Sequence, residues 1–182
     1  AQVAAGKVRA VGLCNETPWG VMRYLFMADL SSLPRIASIQ NGYSLLDRQF
    51  EISLAEVAMR ENVGLIGYSP LASGSLTGKY GDAPAAIPGS RSDGSPGFVS
   101  RLFSPARQKA IAAYTAIARE AGLEPAHLAL AFAAQQPFMA SVLMAASNAE
   151  QLAGIVRARD VSVHRECLHV DIAGRRMHTN PK

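Results

Sequence analysis

Four short stretches of the chain, "GLCNET", "IQNG", "GYSPLASGSLTGKY" and "ASNAEQ", carry side chains suited to holding a polar, flat or anionic ligand. Asn15 and Gln40 bear primary amides, each a donor and an acceptor together, which matches a ligand that itself carries a carboxamide. Tyr68 offers an aromatic face to a flat ring. Ser69, Ser73, Ser75 and Thr77 supply hydroxyls, the glycine-containing loop exposes backbone amides, and Lys79 adds a positive charge. That combination suits phosphate oxygens. Carboxamide, flat ring and phosphates together describe a nicotinamide dinucleotide.

These groups share a position relative to the elements that must hold them. β-type runs are expected at Val8–Cys14, Ile36–Gln40, Leu65–Tyr68 and Ser141–Met144, and the polar groups follow directly: Asn15, then Gln40 and Asn41, then Tyr68 and Ser69, then Ser147 and Asn148. A helical pattern follows each run. Thr17 and Pro18 read as the N-cap and first-turn proline of "WGVMRYLFMADL". "RQFEISLAEVAMRENVG" places Phe50, Leu54, Val57 and Ala58 on one face and closes at Gly64. The segment from Gly64 to Tyr80 leaves its strand for a loop without helical or strand period, and Ser104-Pro105 opens the next helix, which ends at Gly122. A helix over Pro125 to Gln135 follows. Ser147 or Asn148 caps another, with Glu150 as its capping-box partner, and a last helix is expected from about Glu166 to Met177.

Strand and helix alternating four times predicts an α/β fold of parallel strands joined by right-handed crossovers. Pattern alone leaves two forms open. An open doubly wound sheet normally carries a Gly-rich turn after its first strand, and "GLCNETP" is not GxGxxG. A closed eight-stranded barrel needs about 250 residues, whereas four strands are visible here. In a barrel, however, the four strand ends share one rim, and the polar groups converge there.

The composition narrows the function classes. The 182 residues are 49% apolar and 18% charged with a net charge of +4, which suits an ordinary soluble domain. The basic residues are scattered, apart from "GRRMH", with no stripe interleaved with aromatics, so nucleic acid is not expected as a partner. Cys14 and Cys167 lie far apart and outside any CxxC pattern, which predicts neither a disulfide framework nor a metal site, and a reducing cytoplasm is the expected compartment. The most apolar region, Leu128 to Ala146, is broken by Gln135, Gln136 and Pro137 and is too interrupted to span a membrane. The opening "AQVAAGK" reads as the end of an amphipathic helix, so the chain is expected to be a fragment of a longer protein.

"GKVRAVGLCNET", "IQNGYSLLDR", "GLIGYSPLASGSLTGKY" and "ASNAEQL", in this order and spacing, resemble the C-terminal half of an aldo-keto reductase. The likeness is to the subgroup of bacterial aldo-keto reductases and potassium-channel β subunits, and it covers nearly the whole chain. It implies a (β/α)₈ barrel, with residues 1–182 as a single partial domain holding the fifth to eighth strands. It also implies NADP(H) as cofactor and a small-molecule aldehyde or ketone as substrate. By resemblance Asn15 and Gln40 hold the nicotinamide carboxamide and Tyr68 stacks on its ring. Ser69, Leu71, Ser73 and Lys79 line the pyrophosphate. Arg101, with Arg91 as the competing position, closes the long loop over the adenosine phosphate, while Ser147 and Gln151 approach the 2′-phosphate. These last two lie one turn apart at a helix N-terminus, a position that favours an anion.

The sequence also departs from that family. Cys14 stands where serine is usual, and "GIV" replaces the usual "ENI", so Gly154 and Ile155 stand where acidic and amide groups would approach adenine. The Asp, Tyr, Lys and His that transfer the proton in such reductases belong to the first four strands, and no catalytic residue is assigned here. The alternative is a non-catalytic half-barrel that binds a nucleotide, associates with itself, or pairs with an N-terminal half. His127, His164, His169 and His178 read as surface or packing residues, and Tyr24, Tyr43 and Tyr114 as packing. Glu51, Glu56 and Glu61 read as a solvated helix face, and Cys14 as a small buried residue.

Overall fold

The computed structural model describes residues 2–80, 93, 97 and 104–163. Contacts divide the chain into two units, one of Ala1–Pro70 with Phe132–Leu152 and the other of Leu71–Ala131 with Ala153–Lys182.

The first unit contains the whole sheet: β1 (Val11–Cys14), β2 (Ile36–Gly42), β3 (Gly64–Tyr68) and β4 (Met139–Val142), all parallel and in the order β1-β2-β3-β4. Sequential order with parallel pairing requires a crossover between every pair of neighbours. The first is α1 (Pro18–Leu30), which begins as expected: the Thr17 side chain accepts from the Gly20 amide at 3.1 Å and Pro18 occupies the first turn. Val21, Leu25 and Ala28 form its buried face.

The second crossover is not one helix. A 3₁₀ turn over Gln49–Ile52 precedes α2 (Leu54–Glu61), with Ser53 between them at φ −152°. Phe50, Leu54 and Ala58 are nevertheless buried as the period predicts, whereas Val57 is half-buried. The helix closes at Asn62, which adopts a left-handed φ of 55°, two residues before the Gly64 that the sequence points to; Gly64 instead opens β3. Arg35 bonds Asp29 at the end of α1 and reaches Glu61 at the end of α2 at 2.7 Å, bracing the two crossovers. The two carboxylates, Asp29 foremost, hold its guanidinium above the usual arginine range.

Strand limits move where hydrogen bonding decides them. β1 starts three residues later than the expected Val8, and β2 continues through Asn41 and Gly42, paired with Gly67 and Tyr68. β4 lies two residues earlier than Ser141–Met144, because Leu65 donates to the Phe138 carbonyl at 2.8 Å and pairs with Met139. The core of this unit gathers Val21, Leu25, Ile39, Tyr43, Leu45, Phe50, Val63 and Leu65.

The second unit holds a 3₁₀ segment over Ala72–Thr77 and α3 (Pro105–Glu120), capped by Ser104 and ended by Gly122 at φ 66°. Leu76, Tyr80, Ala110, Ile111, Tyr114 and Ala118 are buried. α4 (Pro125–Ala134) and α5 (Ala149–Arg157) each pass from one unit to the other. No helix among the described residues is long and apolar enough to cross a membrane, and no cluster among them could hold a metal ion. The expected helix from Glu166 to Met177 and the residues Arg91, Arg101, His164, Cys167, His169 and His178 lie outside the described residues.

Candidate functional site

Asn15, Gln40 and Tyr68 come together at the C-terminal ends of three adjacent strands. Cys14 pairs with Gln40 across β1 and β2, and the Asn15 amide donates to the Gln40 carbonyl at 2.9 Å. Asn15 then turns out of the strand at φ 54°, a left-handed conformation that asparagine tolerates better than most residues. The Tyr68 hydroxyl donates to Asn15 Oδ1 at 2.8 Å, which fixes the tyrosine ring against the amide from the far side of β2. Gln40 Oε1 lies 3.4 Å from Cys14 Sγ. The side-chain amide nitrogens of Asn15 and Gln40 carry no hydrogen-bond partner among the described residues and remain free to donate.

Cys14 is exposed, not the small buried residue expected: among the described residues its strand lies at the end of the sheet order, paired on one side alone. Gly42 explains how the tyrosine ring lies so low. A Cβ at this position would stand 3.4 Å from Tyr68 Cε2 and 3.1 Å from Asp47 Oδ2, so the bare backbone makes room for both.

Beyond β3, backbone conformation takes over from side chains. Ser69 in the first unit has φ 56°, and in the second unit Ala72, Ser73, Gly74 and Gly78 have φ 47°, 59°, 91° and 76°. In the second unit Ala72, Ser73 and Gly74 are consecutive left-handed residues, and the turn they make brings the Leu76 amide back to the Leu71 carbonyl at 3.2 Å. The 3₁₀ turns here, where no period was expected, come from small residues bonding locally: Ser75 Oγ donates to the Ala72 carbonyl at 2.7 Å and Thr77 Oγ1 to the Gly74 carbonyl at 2.8 Å. Ser75 and Thr77 therefore shape the loop, while Ser73 and Lys79 carry its outward groups. Lys79 is exposed, with Nζ 4.9 Å from the centre of the Tyr80 ring. Leu71 accepts the Gly74 amide on its carbonyl at 2.9 Å.

After β4, the N-terminus of α5 is closed by a reciprocal pair. Asn148 Oδ1 accepts the Gln151 amide and Gln151 Oε1 accepts the Ser147 amide, both at 2.9 Å. Gln151, not Glu150, thus completes the box, since it stands at the third helical position where the side chain reaches back. Arg101 lies outside the described residues.

Sequence reasoning missed one network beside this site. Glu51 does not lie on a solvated face: it accepts the Tyr43 hydroxyl at 2.6 Å and two bonds from Arg48 at 2.7 Å each. The i, i+3 spacing of Arg48 and Glu51 was the available signal. His127 is a packing residue, as expected, and its Nε2 bonds the Gly154 carbonyl at 2.8 Å. Tyr43 and Tyr114 are buried, whereas Tyr24 is exposed.

Residues 1–167 match the model of the aldo/keto reductase family. The chain belongs to this family. Four parallel strands alternating with helices are accordingly part of a (β/α)₈ barrel. The chain is 46% identical over 179 residues to protein tas of Escherichia coli strain K12, covering 97% of this chain and 51% of that protein. To the L-glyceraldehyde 3-phosphate reductase of the same strain it is 28% identical over 159 residues, 86% of this chain and 46% of the relative. A putative voltage-gated potassium channel subunit beta of Schizosaccharomyces pombe is 34% identical over 125 residues, 65% of this chain and 36% of the relative. The chain spans about half the length of the curated relatives it matches.

Proposed function

We propose that this chain forms the cofactor-binding half of an NADP(H)-dependent reductase of aldehydes or ketones. On this reading the Asp, Tyr, Lys and His that move the proton come from sequence outside it, and the chain alone turns over no substrate. The observation that carries the proposal is the meeting of two amides with free donors, Asn15 and Gln40, and the hydroxyl-anchored ring of Tyr68 at adjacent strand ends. A nicotinamide has the matching parts, a carboxamide and a flat ring, so the residues present fit it. The bound cofactor supplies the hydride.

The amides of Asn15 and Gln40 fix the rotation of the ring by holding its carboxamide. Tyr68 covers one ring face, which leaves the opposite face to the carbonyl carbon. By the family resemblance Ser69, Leu71, Ser73 and Lys79 are the residues for the pyrophosphate, with Lys79 supplying the charge. Ser147 and Gln151 take the 2′-phosphate at the N-terminus of α5. The Gln151 carbonyl is already committed to Ser147, so its amide nitrogen is the donor toward phosphate. A reducing cytoplasm is the compartment in which an exposed Cys14 stays a thiol.

Fluorescence titration with NADPH tests the binding half of the reading. The chain is expected to bind it weakly, and no binding by a folded chain refutes the proposal. Adding an N-terminal half from a relative and following NADPH oxidation with a simple aldehyde tests the chemistry.

A second reading, a half-barrel that associates with itself, is favoured by a different observation. β1 and β4 are sheet edges, and Trp19, Phe26, Leu30 and Leu33 on and after α1 are 77%, 55%, 68% and 58% exposed. Exposed edges and apolar side chains favour association. A monomer by sedimentation velocity across a wide concentration range rules it out.

A further inference from the structure

The network around Tyr43 has no assigned role, and its contacts lead to the platform residue. Tyr43 follows β2 directly and its side chain is 1% exposed. Three independent contacts hold it. Its ring stacks on Phe132 at 5.7 Å and meets Phe138 edge-on at 5.4 Å. Its hydroxyl donates to Glu51 Oε1 at 2.6 Å. Glu51 is held in turn by a bidentate pair with Arg48, whose guanidinium carbon lies 5.2 Å from the centre of the Phe132 ring. The turn between Tyr43 and Arg48 is closed separately, since Ser44 and Asp47 exchange backbone bonds and Ser44 Oγ accepts the Leu46 and Asp47 amides.

This fixed block touches Tyr68 at two places. The Tyr43 amide donates to the Tyr68 carbonyl at 3.1 Å, the last rung of the β2–β3 ladder. The Tyr68 ring also lies over Gly42, beside the Asp47 carboxylate that the same turn carries. Tyr68 is followed by Ser69 at φ 56°, so the ladder ends there and no later residue of β3 can hold the ring. The rung at Tyr43 and the bed at Gly42 therefore set its backbone and its plane.

We propose that Tyr43 and Glu51 are positioning residues: through the Arg48-clamped network they fix the ring of Tyr68 at the height and angle at which it meets Asn15 and receives the nicotinamide ring. The nicotinamide part of this statement rests on the proposed function above; the effect on Tyr68 does not. A charge-assisted bond to a half-buried carboxylate is stronger than a neutral one, and the Arg48 fork adds direction to it. Packing against Phe132 and Phe138 holds the Tyr43 ring, and the hydroxyl bond adds a direction to that hold.

The test compares the full chain with Tyr43→Phe and Glu51→Gln, using NADPH and 2′,5′-ADP as separate probes. Both variants are expected to lose about fivefold in NADPH affinity, the scale of one hydrogen bond, with 2′,5′-ADP affinity unchanged. A merely structural role would lower both together, and that result overturns the proposal, as does unchanged NADPH affinity. The second readout needs no nucleotide: the nuclear Overhauser contact between the Tyr68 ring and the Asn15 side-chain amide is expected in the parent chain and lost in both variants. Its survival in Tyr43→Phe overturns the proposal even if the parent chain binds no nucleotide, an outcome that would sink the cofactor reading separately. If Tyr43→Phe does not fold, Glu51→Gln, which keeps every ring contact, decides alone.

Discussion

On the proposed reading Tyr68 serves two partners, the cofactor through its ring and Asn15 through its hydroxyl. Tyr68→Ala removes both and is expected to weaken NADPH by about tenfold or more, the scale on which stacking of a flat heterocycle is lost. Tyr68→Phe keeps the platform and removes only the bond to Asn15, so a loss of about threefold is expected. Fluorescence titration separates the two, and equal losses would show that the ring contributes nothing. The residue types at this site were legible in the sequence because amides and a tyrosine after apolar runs have few other uses. Glu51 was not legible. A carboxylate in a helical-looking stretch reads as solvated unless its helix is known to break, and the break at Ser53 depends on how Phe50 packs against Phe138.

At the scale of the element, close approach of backbones decides which glycines can change. A Cβ on Gly64 would come within 2.5 Å of the Ala140 Cβ across β3 and β4, far inside contact distance. Gly64→Ala is therefore expected to cost about 1–3 kcal/mol by overpacking, and Ala140→Gly in the same chain to recover part of it. Urea denaturation of the single and double variants measures both. The helix ends give a milder test. Asn148→Ala removes the cap of α5 and is expected to cost about 1 kcal/mol, read by the same denaturation. Existence and parallel pairing of the four strands followed from apolar runs alternating with helical periods, whereas their spatial order came with the family resemblance and their limits did not follow at all. β4 lies earlier than its most β-like residues because its register follows Leu65, and a register depends on a partner that no local window contains.

At the scale of the molecule, β1 and β4 are the outer strands of the sheet among the described residues, and α1 carries exposed apolar side chains. Trp19→Lys combined with Leu30→Lys is expected to lower any concentration-dependent self-association without changing the unfolding free energy by more than about 0.5 kcal/mol, since neither side chain is buried. Sedimentation velocity reads the first effect and urea titration the second; a large loss of stability would show that the stripe belongs to the core.

The register of the sheet also sets an order of assembly in time. Leu13 pairs with Ile39 and Ile39 with Leu65, two evenly spaced steps along the chain, but Leu65 pairs with Met139 only after the 3₁₀ segment, α3 and α4 have intervened. Closing that last loop is the slowest entropic step, so β1 to β3 zip as a local unit and β4 docks behind them. During synthesis the β3 edge would wait for β4 until the intervening helices have been made. Pulse-labelled hydrogen exchange during refolding should accordingly protect the amides of Ile39 and Gln40 before that of Val142.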